Sequence, residues 1–306
     1  MSVFRGPVLA IAERPFVEKA FRRNGLSGKL VSRFVAGETL DVALENVQPL
    51  VDLGINTTLD ELGETVSTEA EANAALESYV HIIKRMSERG LQPNISIKLT
   101  MLGLDLGDDL VRVNVQPILN AAREVNGFVR IDMEGSFYTH RTMLLFEEFH
   151  EQFPDEVGIV IQSYLKRSAA DVEKMIERKA RVRLVKGAYS EPEKVAYQDK
   201  AKVDQNYRDL MERLLTDGRY PALATHDPAL IQAAKDFTKH RGIANDGWEF
   251  QMLYGVRREE QINLVNEGYR MRVYVPYGNQ WYPYFTRRIA ERPANAFFVL
   301  RQFFGK

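Results

Sequence analysis

Tyr284, Arg287, Arg288 and Glu291 recur at three- and four-residue spacing, and on a helix that spacing puts all four on one stripe. Pro283 suits the first turn of such a helix, where its missing N–H costs nothing, and Pro293 stops it. A solvated face with an ion pair from Arg287 to Glu291 would give the same pattern and stabilise the helix by only ~0.5 kcal/mol. Adjacent arginines near a helix start oppose the helix dipole, so helix stability did not select them. Paired guanidiniums make a rigid fork that matches a carboxylate. Tyr274, Tyr277, Tyr282 and Tyr284 lie close by and could wall a small apolar body beside that fork. The stretch from Arg272 to Phe298 therefore reads as a carboxylate site made of a strand, a turn and a helix. Val273 and Val275 form the strand, and Pro276 with Gly278 breaks it.

A second cation-rich stretch is VRLVKGAY. Arg183 and Lys186 face inward from a buried strand, and an arginine there needs an anion or an electron-rich partner. Gly187 lets a ligand approach the backbone closely. His226 stands in THDP, where Asp227 and Pro228 make a good helix start. It reads either as a capping-loop histidine or as a contact to a cofactor phosphate or ring. Other chemistries find no support. The five histidines are scattered with no HExxH spacing, so no metal site is expected, and there is no GxSxG elbow. The absence of cysteine excludes disulfides, thiolate metal sites and cysteine nucleophiles.

Composition agrees with an ordinary globular protein. The chain has 306 residues, 41 basic against 42 acidic, and 45% hydrophobic content, enough for a sizeable core and without the positive balance that nucleic acid requires. The apolar run from Val8 to Ala12 is too short for a signal peptide, and no segment approaches the roughly 20 apolar residues of a spanning helix. A cytoplasmic protein is expected, at most peripheral at the inner face of a membrane.

These residues need elements to hold them. Residues 1–50 read as helices that pack on the remainder of the chain: FVEKAFRR, LVSRFVAG ended by Gly37, then TLDVALENVQPLVDLG. In residues 51–306, β-like runs alternate with amphipathic helices. The runs are INTTL, NISIKL, FVRIDM, GIVIQ, VRLV, ALAT, WEFQML and RVYV. The intervening helices run from about Thr68 to Arg89, Leu110 to Val125, through TMLLFEEFHEQF and SAADVEKMIERK, from Asn206 to Leu215, and through PALIQAAKDFTKH and EEQINLVNE. Eight strand-helix units predict a (β/α)8 barrel as one α/β unit. A doubly wound sheet is the runner-up, but neither GxGxxG nor a Walker A loop is present. A barrel gathers its active residues where strands end. Here the strand ends carry Asp60 and Glu61, Lys98, Asp132 and Glu134, Gln162, Lys186, His226, Gln251 and Tyr274. LGLDLGDD and the segment from Ser190 to Asp204 read as mobile loops over that mouth.

ISIKL, IDMEG, VIQSYLKR, VRLVKGAY, ATHD, EFQML and YVPYG…YFTRRIAE, in this order, resemble the proline dehydrogenase family of flavoenzymes from about Asn56 to Phe298. The resemblance implies a distorted (β/α)8 barrel that holds FAD without a Rossmann domain. It implies oxidation of L-proline to Δ1-pyrroline-5-carboxylate by hydride transfer from ring C5 to flavin N5, with a quinone as the onward acceptor. Carried over, Arg287, Arg288 and Lys98 clamp the substrate carboxylate, and Tyr189, Leu253, Tyr274 and Tyr284 pack around the ring. Asp132 sits under the site and holds an arginine or a tyrosine. Arg183 lies near N5, and Asp132 and Arg183 are the catalytic pair. Met133, Gln162, Lys186, Gly187, Ala188, Thr225 and His226 contact the cofactor with Arg183, and Glu291 pairs with an arginine of its own helix.

Ser190 departs from many bifunctional relatives, which have an aromatic residue after the VKGAY tyrosine. The chain length further implies the monofunctional form, whose product passes to a separate pyrroline-5-carboxylate dehydrogenase. Two other readings stay open at this point: a carboxylate-handling lyase with Lys98 or Lys186 as a Schiff base, and a non-catalytic amino-acid-binding module. The aromatic C-terminal ANAFFVLRQFFGK reads as a final packing helix or as a surface for a membrane or a sister subunit.

Overall fold

The computed structural model describes residues 31–63 and 65–290, and of residues 287–290 the backbone alone. The expected FVEKAFRR helix, the Pro293 stop, Glu291 and the ANAFFVLRQFFGK segment lie outside the described residues.

Strand side chains alternate, and here the two faces differ in kind. Leu59, Ile95, Ile97, Val129, Ile131, Ile159, Ile161, Val182 and Leu184 are buried in one continuous apolar core shared with the helices. The positions between them carry Thr58, Asp60, Ser96, Arg130, Gln162 and Arg183, equally buried. The apolar face packs under the helices, and the more polar face, which Val160 joins, turns into the barrel. The strands are β1 (Asn56–Glu61), β2 (Asn94–Ile97), β3 (Phe128–Ile131), β4 (Val157–Gln162), β5 (Arg181–Val185), β6 (Ala222–Ala224), β7 (Glu249–Leu253) and β8 (Met271–Tyr277). They form a closed barrel in sequence order, with β8 returning to β1 in parallel. The expected (β/α)8 architecture is thus present, and the doubly wound alternative is excluded.

Helices cover the outside: α1 (Leu40–Val51), α2 (Glu69–Glu88), α3 (Asp108–Glu124), α4 (Ser136–Gln152), α5 (Ser168–Glu177), α6 (Lys200–Asp217), α7 (Pro228–Arg241) and α8 (Arg258–Asn266). Local chemistry sets their starts. Thr68 and Glu71 form a reciprocal capping box on α2, and Asp227 caps α7 with Pro228 in the first turn. The helix expected at Asn206 begins at Lys200, because Asp199 accepts from the Ala201 N–H at 2.9 Å and caps it earlier. Strand β2 stops at Ile97, and Lys98 leads into a single 3-10 turn, Leu99–Leu102.

The last unit departs from a regular barrel. Strand β8 does not break at Pro276 but runs on to Tyr277. Strand β7 ends opposite Tyr274, so nothing on that side needs the N–H that Pro276 lacks, and its carbonyl accepts from the Ala36 N–H at 2.8 Å. Helix α9 (Trp281–Ala290) begins two residues before Pro283. It packs Trp281, Tyr282, Tyr284 and Phe285 against Val31, Phe34, Val35 and Leu62. Leu62 follows the end of β1, so α9 lies over the C-terminal mouth, while α1 packs outside β1 and β8. The mouth thereby gains a roof from the stretch that carries the arginine pair.

Candidate active site

Inward residues at the strand ends meet in a cavity of about 780 Å³ at the C-terminal mouth. Lys98, Asp132, Met133, Gln162, Arg183, Lys186, Gly187, Ala188, Tyr189, Thr225, His226, Leu253, Tyr274 and Tyr284 all line it. Arg287 and Arg288 belong to the backbone of α9, three and four residues beyond Tyr284, but their side chains lie outside the described residues.

One wall is a chain of charges. Asp132, just past β3, accepts from Arg183 Nη1 at 2.7 Å on Oδ1 and from the Tyr274 hydroxyl at 2.9 Å on Oδ2. Arg183 also donates to Ser96 Oγ at 3.1 Å, and its guanidinium stands 5.3 Å from the Tyr274 ring centre. The buried arginine therefore has both an anion and an electron-rich ring beside it. Burial, with Asp132 and Asp60 adding to it, pushes the Tyr274 phenol well above its ordinary pKa, so it remains a donor. Lys98 Nζ lies 2.5 Å from Asp60 Oδ1. Burial works against the ammonium, but Asp60 and Asp132 outweigh it and hold the Lys98 pKa above that of an ordinary lysine. A Schiff-base lysine needs a neutral amine, so the lyase reading loses Lys98 as its nucleophile.

The opposite wall comes from β4 to β7. Gln162, 3% exposed, donates Nε2 to the Met133 carbonyl at 3.3 Å. Its Oε1 and the Nε of Arg183 are buried with no hydrogen-bond partner among the described residues. Lys186 is held between Asp204 at 2.6 Å and Asp227 at 2.8 Å, which ties the end of β5 to α6 and α7. His226 accepts the Leu253 N–H on Nε2 at 2.9 Å, and the Thr225 hydroxyl accepts from the Asp227 N–H at 3.1 Å. The start of α7 is thus already capped by its own Asp227, and one nitrogen of His226 is engaged by β7.

Gly187 has a reason other than ligand approach. Its φ is +114°, and a Cβ there would fall 2.3 Å from Cδ1 of Tyr164. Tyr164 packs under the loop after β5, which is sewn down by Lys166 N–H to Val195 O and Tyr197 N–H to Tyr164 O, 2.9 and 2.8 Å. Glu191 of the same loop accepts from the Ser136 N–H at the start of α4 at 2.6 Å. The segment expected as a mobile loop is, as far as Asp199, pinned on both sides of β4.

Sequence reading placed Asp60 and Glu134 at strand ends without giving either a partner, and it gave no site role to Asp204. A buried lysine signals that a carboxylate must be near, but strand register selects which one: Asp60 stands opposite Ser96, two residues before Lys98.

Comparison with known proteins agrees with this geometry. The family model described as proline dehydrogenase matches residues 43–301. A proline dehydrogenase of Deinococcus radiodurans is 44% identical over 303 residues, covering 98% of this chain and 97% of that protein. Proline dehydrogenase 1 of Bacillus subtilis (strain 168) is 44% identical over 269 residues, 88% of this chain and 89% of that one. The crystal structure of proline utilization A (PutA) from Bdellovibrio bacteriovorus, inactivated by N-propargylglycine, superposes with a TM-score of 0.83 at 28% identity. It covers 94% of this chain, which spans about a third (35%) of that longer one. The chain belongs to the proline dehydrogenase family.

Proposed function

We propose that this protein oxidises L-proline to Δ1-pyrroline-5-carboxylate, with FAD in the cavity as the electron acceptor and a quinone as the onward acceptor. The observation that carries the reading is the meeting of Lys98, Arg183, Asp132 and Tyr274 on one wall of the cavity, across from Gln162 and the β5 loop. The residues fit a flavin. About 780 Å³ lies within the range of roughly 300–1,000 Å³ usual for cofactor and ligand sites. The unpartnered Gln162 Oε1 offers an acceptor and Arg183 Nε a donor, as a ring edge of alternating carbonyl and N–H groups demands. Met133, Gln162, Arg183, Lys186, Gly187, Ala188, Thr225 and His226 would hold it.

The flavin, when bound, supplies the two-electron sink that accepts hydride from ring C5. The protein supplies position. Lys98 meets the substrate carboxylate, with Arg287 and Arg288 as the two further cations, and Tyr189, Leu253, Tyr274 and Tyr284 enclose the ring. Asp132 fixes Arg183 and Tyr274 at once, which holds the wall rigid where a misplacement of 1 Å can cost ~100-fold in rate. The substrate amine must be neutral to release hydride from the neighbouring carbon, so activity falls as pH drops below neutrality. The product passes to a separate pyrroline-5-carboxylate dehydrogenase. No helix among the described residues is long and apolar enough to cross a membrane, and peripheral contact at the inner face of a membrane suits a quinone acceptor.

The test is the visible spectrum of the purified protein before and after anaerobic addition of L-proline. Flavin bands that bleach with proline support cofactor, substrate and reaction type together. A protein that stays colourless with added FAD overturns the reading, and a borohydride-trapped adduct would revive the lyase.

A further inference from the structure

We propose that Asp60 is the positioning residue that aims the Lys98 ammonium at the substrate carboxylate. This rests on the proline-oxidation reading above. Asp60 stands opposite Ser96 in the β1–β2 pairing, and Lys98 lies two residues past Ser96 on the same face. The two side chains meet at 2.5 Å, with unequal access to solvent: the carboxylate is 2% exposed and the lysine side chain 19%. Both line the cavity, but the lysine is the more open of the two and the carboxylate lies behind it.

The neighbouring carboxylates have other duties. Asp132 accepts from Arg183 and Tyr274, and Glu134 accepts from the Thr100 hydroxyl at 2.7 Å and its N–H at 3.3 Å. Lysine carries a large rotamer entropy on a flexible four-carbon stem. Asp60 removes that freedom before a ligand arrives and takes one of three ammonium donors, leaving the others for an incoming carboxylate. Because Lys98 keeps its bond to Asp60 while its other donors meet the anion, Asp60 is not left buried and unpaired.

The experiment measures proline KM and kcat in flavin-loaded Asp60→Asn, Lys98→Met and the double variant, with flavin content and melting temperature as folding controls. Asp60→Asn is expected to raise KM tenfold or more, beyond its effect on kcat. The double variant is expected to be no worse than Lys98→Met alone, because Asp60 acts through Lys98. A KM for Asp60→Asn within twofold of wild type overturns the proposal, as does a double loss equal to the product of the single losses. If Asp60→Asn loses its flavin, Asp60→Glu carries the test: it keeps the charge, displaces the ammonium and should raise KM at least threefold, and an unchanged KM overturns the proposal. Wild-type protein that does not turn over proline would overturn the underlying reading and this inference with it. Wild-type turnover with an indifferent Asp60→Asn overturns this inference alone.

Discussion

The barrel interior holds two ionic clusters built from the same residue types, one at the floor and one at the mouth. At the floor, Arg272 donates Nε to Glu249 at 2.7 Å and Nη1 to the Thr57 carbonyl at 2.8 Å. Glu249 also accepts from Gln251 at 2.5 Å and from the Tyr220 hydroxyl at 3.2 Å. Arg130 gives Nη1 to the carbonyls of Ile159 and Arg181, at 3.2 and 2.5 Å. It fits because β4 has Gly158 beside it, where a Cβ would lie 2.5 Å from that same nitrogen. The floor charges thus face one another and the backbone. At the mouth, Lys98, Arg183 and Tyr274 are each anchored from one side and turn the other to the cavity. Buried charge alone does not mark a site. A charge that is held from behind and open in front does.

Breaking the floor should have the largest effect, and on stability alone. Arg272→Met leaves Glu249 charged and buried without its partner, a loss of about 3–5 kcal/mol. Denaturant unfolding checks it, with proline KM in the folded fraction unchanged. A loss under about 1 kcal/mol would erase the distinction between the two layers. At the mouth the order reverses. Asp132→Ala frees Arg183 and Tyr274 together, and kcat/KM for proline should fall about 100-fold, or roughly 2.7 kcal/mol, with a smaller loss of stability than Arg272→Met. Tyr274→Phe removes one hydrogen bond to Asp132 and should cost about five- to tenfold in kcat/KM, close to 1 kcal/mol.

The smallest effect is a pH dependence of the floor. Burial pushes Glu249 up, but the charge and hydrogen bond of Arg272 outweigh it, so its folded pKa lies below the ordinary 4.5. A proton then binds more weakly in the folded state than in the unfolded one. The stability Glu249 contributes is complete above that ordinary value and is lost as pH falls through the lower folded one. Melting temperature should drop on acidification below pH 4.5, and Glu249→Gln should flatten that slope. An unchanged slope would mean other carboxylates govern acid unfolding.

Much of the fold was legible from residues 51 to 275 because period-2 runs and helical stripes are local signals. The misreadings were local too. The strand was expected to break at Pro276, a position where the missing N–H has no partner strand to serve. The helix expected at Asn206 starts earlier because the cap at Asp199 outweighs a polar first turn. Arg183 stood out as an arginine in a buried strand, whereas Arg130, Arg272 and Glu249 lie in runs just as apolar and drew no notice. A run shows which end points to the mouth, but the depth of an arginine in its interior depends on the stagger of neighbouring strands.

Sequence by itself determined that this chain makes eight alternating units and that its motifs are those of the proline dehydrogenase family. Only the tertiary structure decided which carboxylate holds which cation. Lys98 with Asp60, Arg183 and Tyr274 with Asp132, and Arg272 with Glu249 are joined across 23 to 142 residues of chain. Side-chain direction is a property of the local backbone, but a partner is set by the stagger of neighbouring strands and by closure of the barrel.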